Sequence, residues 1–146
     1  METFDFFIPN GHMSLNLEEF FPAGASRIRK MVKIMKQDSR NNVPAILKVL
    51  KKELLLYKKD LEEHRKFCIS KMFEWCGRKK TLTGYIDTKT FPSGDPIRSK
   101  KDLAEMKKRA KQAKDYEDEY RRDAKKAERT IKGIEKNLEL LNELEE

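Results

Sequence analysis

The side chains best suited to chemistry are two imidazoles and two thiols. His64 and Cys68 stand four apart, the spacing that sets two donors on one face of a helix, and Cys76 and His12 are the other candidates for a four-ligand zinc site. Cys76 falls off the shared face, and both His64 and Cys68 lie in an apolar helical seam, so they read as packing residues and no metal is expected. Eight residues at ~1.5 Å rise also set Cys68 and Cys76 roughly 12 Å apart along one helix, too far for a disulfide. Two reduced thiols and a cytoplasmic protein are the expectation.

Carboxylates are the next candidates. Asp115, Glu117, Asp118, Glu119 and Asp123 could hold Mg²⁺ or move protons, but they alternate with Arg121, Arg122, Lys125, Lys126 and Arg129. Pairs four apart, Asp118 with Arg122 and Glu117 with Arg121, are the pattern of a charge-stabilised exposed helix. The sequence has no Gly-rich phosphate loop, no activated serine constellation and no His-rich cluster. No cofactor and no catalysis are expected.

Binding chemistry is better represented. The chain of 146 residues carries a formal net charge of +8, and residues 77–114 hold all of it, with twelve Lys or Arg against four Asp or Glu. Residues 1–43 contribute +1, 44–76 contribute +3 and 115–146 contribute −4. Concentrated cations attract polyanions, because each neutralised phosphate releases condensed counterions. The candidate binding residues are Arg78, Lys79, Lys80, Lys89, Arg98, Lys100 and Lys101, continuing as Lys107, Lys108, Arg109, Lys111 and Lys114. Tyr85 and Phe91 are interleaved in sequence, and rings beside cations can stack on bases while the cations hold phosphates.

Long helices must position these residues. With 38% hydrophobic and 40% charged residues, the composition suits extended helices with narrow apolar stripes. Residues 1–25 read as an arm: Phe4, Phe6, Phe7 and Ile8 form a short apolar strand before the Pro9-Asn10-Gly11 break, with one helical turn over 16–21 ended by Pro22. Ser26 caps a first helix, 26–38, whose apolar face is Ile28, Met31, Val32 and Met35. Its basic outer face also resembles membrane-surface segments, although burial against neighbours is the simpler fate.

Asn42 caps a second helix, 43–76, with a heptad seam through Leu47, Leu50, Leu54, Tyr57, Leu61, His64, Cys68 and Trp75, and Gly77 as its stop. Residues 77–98 become a basic connecting loop with a small β-hairpin around Gly84 and a second turn at 92–96. Ser99 opens a third helix, 99–145, seamed by Leu103, Met106, Ala110, Ala113, Glu117, Tyr120, Ala124, Ala127, Ile131, Ile134, Leu138 and Leu141, with Tyr116 standing in for Glu117.

The expected fold is therefore a single mainly α domain. A long antiparallel, coiled-coil-like helical hairpin carries a loop or β-hairpin insertion at its tip, and the shorter N-terminal helix packs on Ile134, Leu138 and Leu141. A homodimer is the alternative way to bury the apolar surface. No stretch of 18 apolar residues suggests a membrane span, and Glu2 and Asp5 argue against a secretory leader. The implied function is a non-enzymatic module that engages nucleic acid or a nucleoprotein through the basic tip. The alternative is an adaptor or inhibitor that binds an acidic surface on a nucleic-acid-processing enzyme, of the kind a phage or mobile element would encode.

Overall fold

In a computed structural model the described residues are 3–17 and 24–145. The element order is β1 (Thr3–Ile8), β2 (Gly11–Asn16), α1 (Ala25–Lys36), α2 (Val43–Thr88) and α3 (Lys100–Glu145). The helical turn expected over 16–21 and its Pro22 break fall largely on 18–23, outside the described residues. The chain divides into two compact units, Met1–Glu62 with Glu128–Glu146, and Glu63–Ala127. In both, α2 and α3 pack as antiparallel partners, so that residue numbers rise along one helix as they fall along the other.

The first unit is built on the N-terminal segments. The arm proves to be a hairpin: Pro9-Asn10 is a two-residue turn, and β2 returns along β1 with Ile8 opposite Gly11 and Phe4 opposite Leu15. Alternation along β1 sends Phe4 and Phe6 into the core and leaves Phe7 outside. The apolar face of α1, Ile28, Met31, Val32 and Met35, is buried with them, alongside Leu47, Leu50 and Leu54 of α2 and Ile134, Leu140 and Leu141 of α3. Each such side chain contributes about 1.5–3 kcal/mol by leaving water. The expected packing of the first helix on Ile134, Leu138 and Leu141 is thus present, with Leu138 partly buried.

Two details of this unit differ from expectation. α1 begins one residue early, at Ala25, with Gly24 as its N-cap and no side-chain cap bond, so Ser26 lies inside the helix. Asn41 closes the gap after α1 in an unforeseen way. Its side-chain oxygen accepts the Phe7 N–H at 2.8 Å, and its side-chain nitrogen donates to the Phe7 carbonyl at 2.8 Å and to the Met35 carbonyl at 3.0 Å. A strand edge and a helix C-terminus are satisfied by one amide. Asn42 caps α2 as expected, accepting the Ala45 N–H at 3.3 Å. Across the helices, Lys51 pairs with Glu145, and Lys58 lies 3.4 Å from Glu135.

The second unit corrects the boundaries of the second helix and its loop. α2 does not stop at Gly77; it runs through Gly77 and Gly84 to Thr88. The apolar spacing continues as Trp75, Lys79, Leu82 and Ile86, all half-buried, and packing of that stripe outweighs a glycine penalty of ~1 kcal/mol per position. Thr81 and Thr88 turn their hydroxyls back to the Gly77 and Gly84 carbonyls at 3.0 and 2.9 Å, which satisfies both hydroxyls within the helix.

The helix ends at Lys89, which takes a left-handed φ of 53°. There the Thr90 N–H donates to the Tyr85 carbonyl at 3.1 Å and the Lys89 N–H to the Ile86 carbonyl at 3.2 Å, a Schellman closure. The expected strands around Gly84 are therefore helical, and the only pairing left in this region is one bridge between Thr90 and Pro96. Ile97 is buried and its N–H donates to the Lys89 carbonyl at 2.6 Å, tying the two ends of the connection together. Ser99 then caps α3, its hydroxyl accepting the Asp102 N–H at 3.4 Å.

Candidate polyanion-binding surface

The seam of the second unit is narrow. On α3 it runs through Met106, Ala113, Glu117, Ala124 and Ala127, and on α2 through the fully buried Cys68. Small residues let the helices approach closely, which leaves long side chains on both flanks to define two distinct surfaces.

One flank is aromatic. Trp75 stacks on Tyr116 with ring centroids 4.7 Å apart, Phe67 meets Tyr120 edge-on at 6.3 Å, and the Arg78 guanidinium covers Trp75 at 4.4 Å. Arg78 is also held by Glu74 at 2.8 Å. Tyr85, seven residues beyond Arg78 and half-buried, belongs to the same flank. Tyr116 therefore does not replace Glu117 in the seam; it is 46% exposed, while Glu117 is buried.

The opposite flank is cationic. Arg78 and Lys80 lie on either side of the seam residue Lys79, so Lys80 points away from Trp75. On α3, Tyr116 and Asp118 flank Glu117 in the same way, and steps of four, seven and eleven residues back from Asp118 reach Lys114, Lys111 and Lys107. Lys100 continues the stripe, which spans fourteen residues or ~21 Å. All of these lysines are exposed. Asp118, 3.5 Å from Arg121, ends the run of uncompensated charge.

The fourteen residues expected at this site are thus not one cluster. Lys80, Lys100, Lys107, Lys111 and Lys114 share the cationic flank; Lys101 and Lys108, seven apart, sit together on the outer face of α3. Lys89 and Arg98 bracket the connection, exposed, with Phe91 half-buried between them. Arg109 lies 3.6 Å from Glu105. Arg78 and Tyr85 are on the aromatic flank, so Tyr85 is not interleaved with the lysines in space.

Lys79 is turned inward, 2.8 Å from Glu117, which Arg121 also reaches at 3.0 Å. The Lys79 hydrogen bond, followed by the charges of Lys79 and Arg121, holds the Glu117 carboxyl below its usual range against the opposing effect of burial, and the same bond raises Lys79. Sequence reasoning missed two exposed residues on the lysine side, Phe73 and Lys66, one and two heptads before Lys80; the heptad count from Lys80 would have found both.

The other chemical candidates are dispersed. His64 is exposed with its Nε2 3.5 Å from the Cys68 sulfur, and burial, then Asp123, pushes the Cys68 thiol up. Among the described residues no group of three or more His, Cys, Asp or Glu converges, and no helix is long and apolar enough to cross a membrane. Arg121 serves Glu117 and Asp118, whereas the expected Asp118–Arg122 pair is not among the ion pairs of the described residues. No protein-family model, curated protein or solved structure matches this chain.

Proposed function

We propose that the chain is a non-enzymatic module that binds nucleic acid, alone or within a nucleoprotein, by docking its cationic residues on the phosphate backbone. One observation carries the reading. Lys80, Lys89, Arg98, Lys100, Lys101, Lys107, Lys108, Lys111 and Lys114 are all exposed and have no carboxylate partner among the described residues. Elsewhere in the chain Lys51, Lys58, Lys71 and Lys132 each find one while Lys30, Lys48, Lys66 and Lys136 do not, so it is the density of unpaired cations, in a stretch with twelve Lys or Arg against four Asp or Glu over residues 77–114, that supports the reading. Arg98, Lys100 and Lys101 also crowd the N-terminus of α3, where the helix dipole disfavours cations by about 0.3–1 kcal/mol each, and a bound phosphate reverses that sign.

The test is binding of labelled nucleic acid followed from ~50 to ~200 mM salt, where each phosphate contact contributes close to one unit of log–log slope on a duplex. Wild-type protein should show a steep slope, and reversal of Lys80, Lys107, Lys111 and Lys114 to Glu should flatten it. Unchanged binding by that variant would remove the cationic flank from the contact. The reading concerns a cytoplasmic partner, in keeping with two free thiols at Cys68 and Cys76.

A second reading, an adaptor or inhibitor that grips an acidic protein, draws on the first unit. There Val49, Leu55 and Leu56 are 52%, 54% and 51% exposed beside Lys48, Lys52 and Lys59, a surface suited to an acidic amphipathic helix. Retained mobility with both DNA and RNA at low salt would favour it.

A further inference from the structure

We infer that the cationic flank of the 63–127 unit takes single-stranded nucleic acid, with Phe73 as the platform on which an unpaired base stacks. This rests on the phosphate-binding reading and adds which form of nucleic acid is bound and what holds its bases.

Phe73 is 66% exposed, more than any other large hydrophobic side chain among the described residues. The other exposed rings are occupied. Phe67 packs on Tyr120 and beneath Lys71, Tyr116 on Trp75, and Phe7 beneath Arg40. Phe73 alone among these exposed rings has no ring or cation partner within the described residues. Its position is equally specific. Lys66, Phe73 and Lys80 follow one another at steps of seven, a single stripe of α2 with a lysine ~10 Å to either side of the ring. Neither lysine has a carboxylate partner among the described residues.

An exposed phenyl ring framed by lysines discriminates among polyanions. A duplex keeps its bases stacked inside, so it would meet the lysines and leave the ring in water. A single strand offers both charges and free base faces, and a ring beside cations is the pairing that sequence-tolerant single-strand binding uses. A second copy of the chain is a poor occupant. A two-fold contact on this flank would set the patch of Lys66, Lys80, Lys107, Lys111 and Lys114 against the same positive patch of the second copy.

The experiment is fluorescence anisotropy with a labelled strand of about 20 nucleotides and with the same strand annealed into a duplex. Wild type, Phe73→Ala, Phe73→Trp and the Lys80/Lys107/Lys111/Lys114→Glu variant are compared, with helical content checked by circular dichroism. The expected result is tighter binding of the single strand than of the duplex. Phe73→Ala should lose roughly tenfold affinity for the strand, within the range that stacking one base spans, with its salt slope unchanged. Phe73→Trp should restore the affinity and show quenching of the new indole on binding.

Equal affinity of Phe73→Ala and wild type for the strand, or a preference for the duplex, would overturn the inference while leaving phosphate binding intact. Absence of binding to either probe at ~50 mM salt would overturn both. Loss on Phe73→Ala that Phe73→Trp does not restore would also count against stacking.

Discussion

The Nζ of Lys79 lies 2.8 Å from the Oε2 of Glu117, a carboxylate whose side chain is 5% exposed in a seam it shares with Ala113, Ala124 and Cys68. The pair changes how the basic segment is read, because one cation of residues 77–114 is consumed inside the protein. A carboxylate buried there needs its partners: removing Lys79 leaves Glu117 with Arg121 alone, a half-exposed cation, and so only partly compensated. Lys79 therefore serves the fold, and the surface that could meet an anion is carried by its neighbours.

Replacing Lys79 by Met, which keeps the apolar stem, should lower the melting temperature by at least a few degrees. It should leave the salt slope of nucleic-acid binding unchanged. Replacing Lys80 by Met should do the reverse. Differential scanning fluorimetry and the anisotropy assay separate the two effects, and a Lys79 variant that loses binding without losing stability would contradict the assignment.

Acid should act on two separate carboxylates. Arg40 beside Asp38 holds that carboxyl down at about 2, chiefly through the side-chain hydrogen bond, and Lys79 holds Glu117 below the usual glutamate range. A depressed folded-state value means the contribution is complete above the unfolded value, near 4 for either residue, and is lost as pH falls through the folded value. Melting temperature should hold from neutral pH to about 5 and then fall, with the Asp38 share lost between ~4 and about 2. Glu117→Gln should shallow the acid limb and start from a lower plateau. Identical limbs in wild type and variant would dismiss Glu117 as the titrating group.

Asn41 should be among the least replaceable polar residues. Asn41→Leu keeps volume but strips partners from the Phe7 N–H, the Phe7 carbonyl and the Met35 carbonyl. A buried group left unpaired costs about 1–3 kcal/mol; the Met35 carbonyl is buried and the two Phe7 groups part-buried, so a loss of ~3 kcal/mol is expected. Chemical denaturation measures it, and hydrogen exchange should show the Phe7 amide losing protection selectively.

Heptad and helical spacing made the hairpin legible, because periodic burial leaves its mark on every third or fourth residue; the apolar face Ile28, Met31, Val32 and Met35 and the seam from Leu103 to Leu141 are as spacing implies. Local signals misled where tertiary packing opposed them. Gly77 looks like a stop, yet the stripe through Lys79, Leu82 and Ile86 keeps the helix going, and the left-handed position falls to Lys89 instead. Glu117 looks like an interruption because its partner Lys79 is 38 residues away. The site was legible as a charge excess and illegible as a surface. Sequence order interleaves Tyr85 with the lysines, whereas helical rotation sends Tyr85 and Lys80 to opposite flanks and brings up Phe73, which only the heptad step back from Lys80 marks.

The two helical glycines provide the sharpest test of the revised α2. A Cβ built on Gly77 or Gly84 meets nothing within 4 Å, so alanine fits at both positions without displacing a neighbour. In a helix interior alanine is favoured over glycine by about 0.8–1 kcal/mol, largely through the smaller entropy lost on folding. Gly77→Ala and Gly84→Ala should each stabilise by roughly that amount and add nearly independently, being seven residues apart with no shared partner. If Gly77 instead ended the helix in a left-handed cap, alanine there would be strained and the protein would lose stability. The sign of the change at Gly77, read from denaturant midpoints at constant m-value, therefore decides whether α2 continues to Thr88 or stops short of the lysines it is meant to carry.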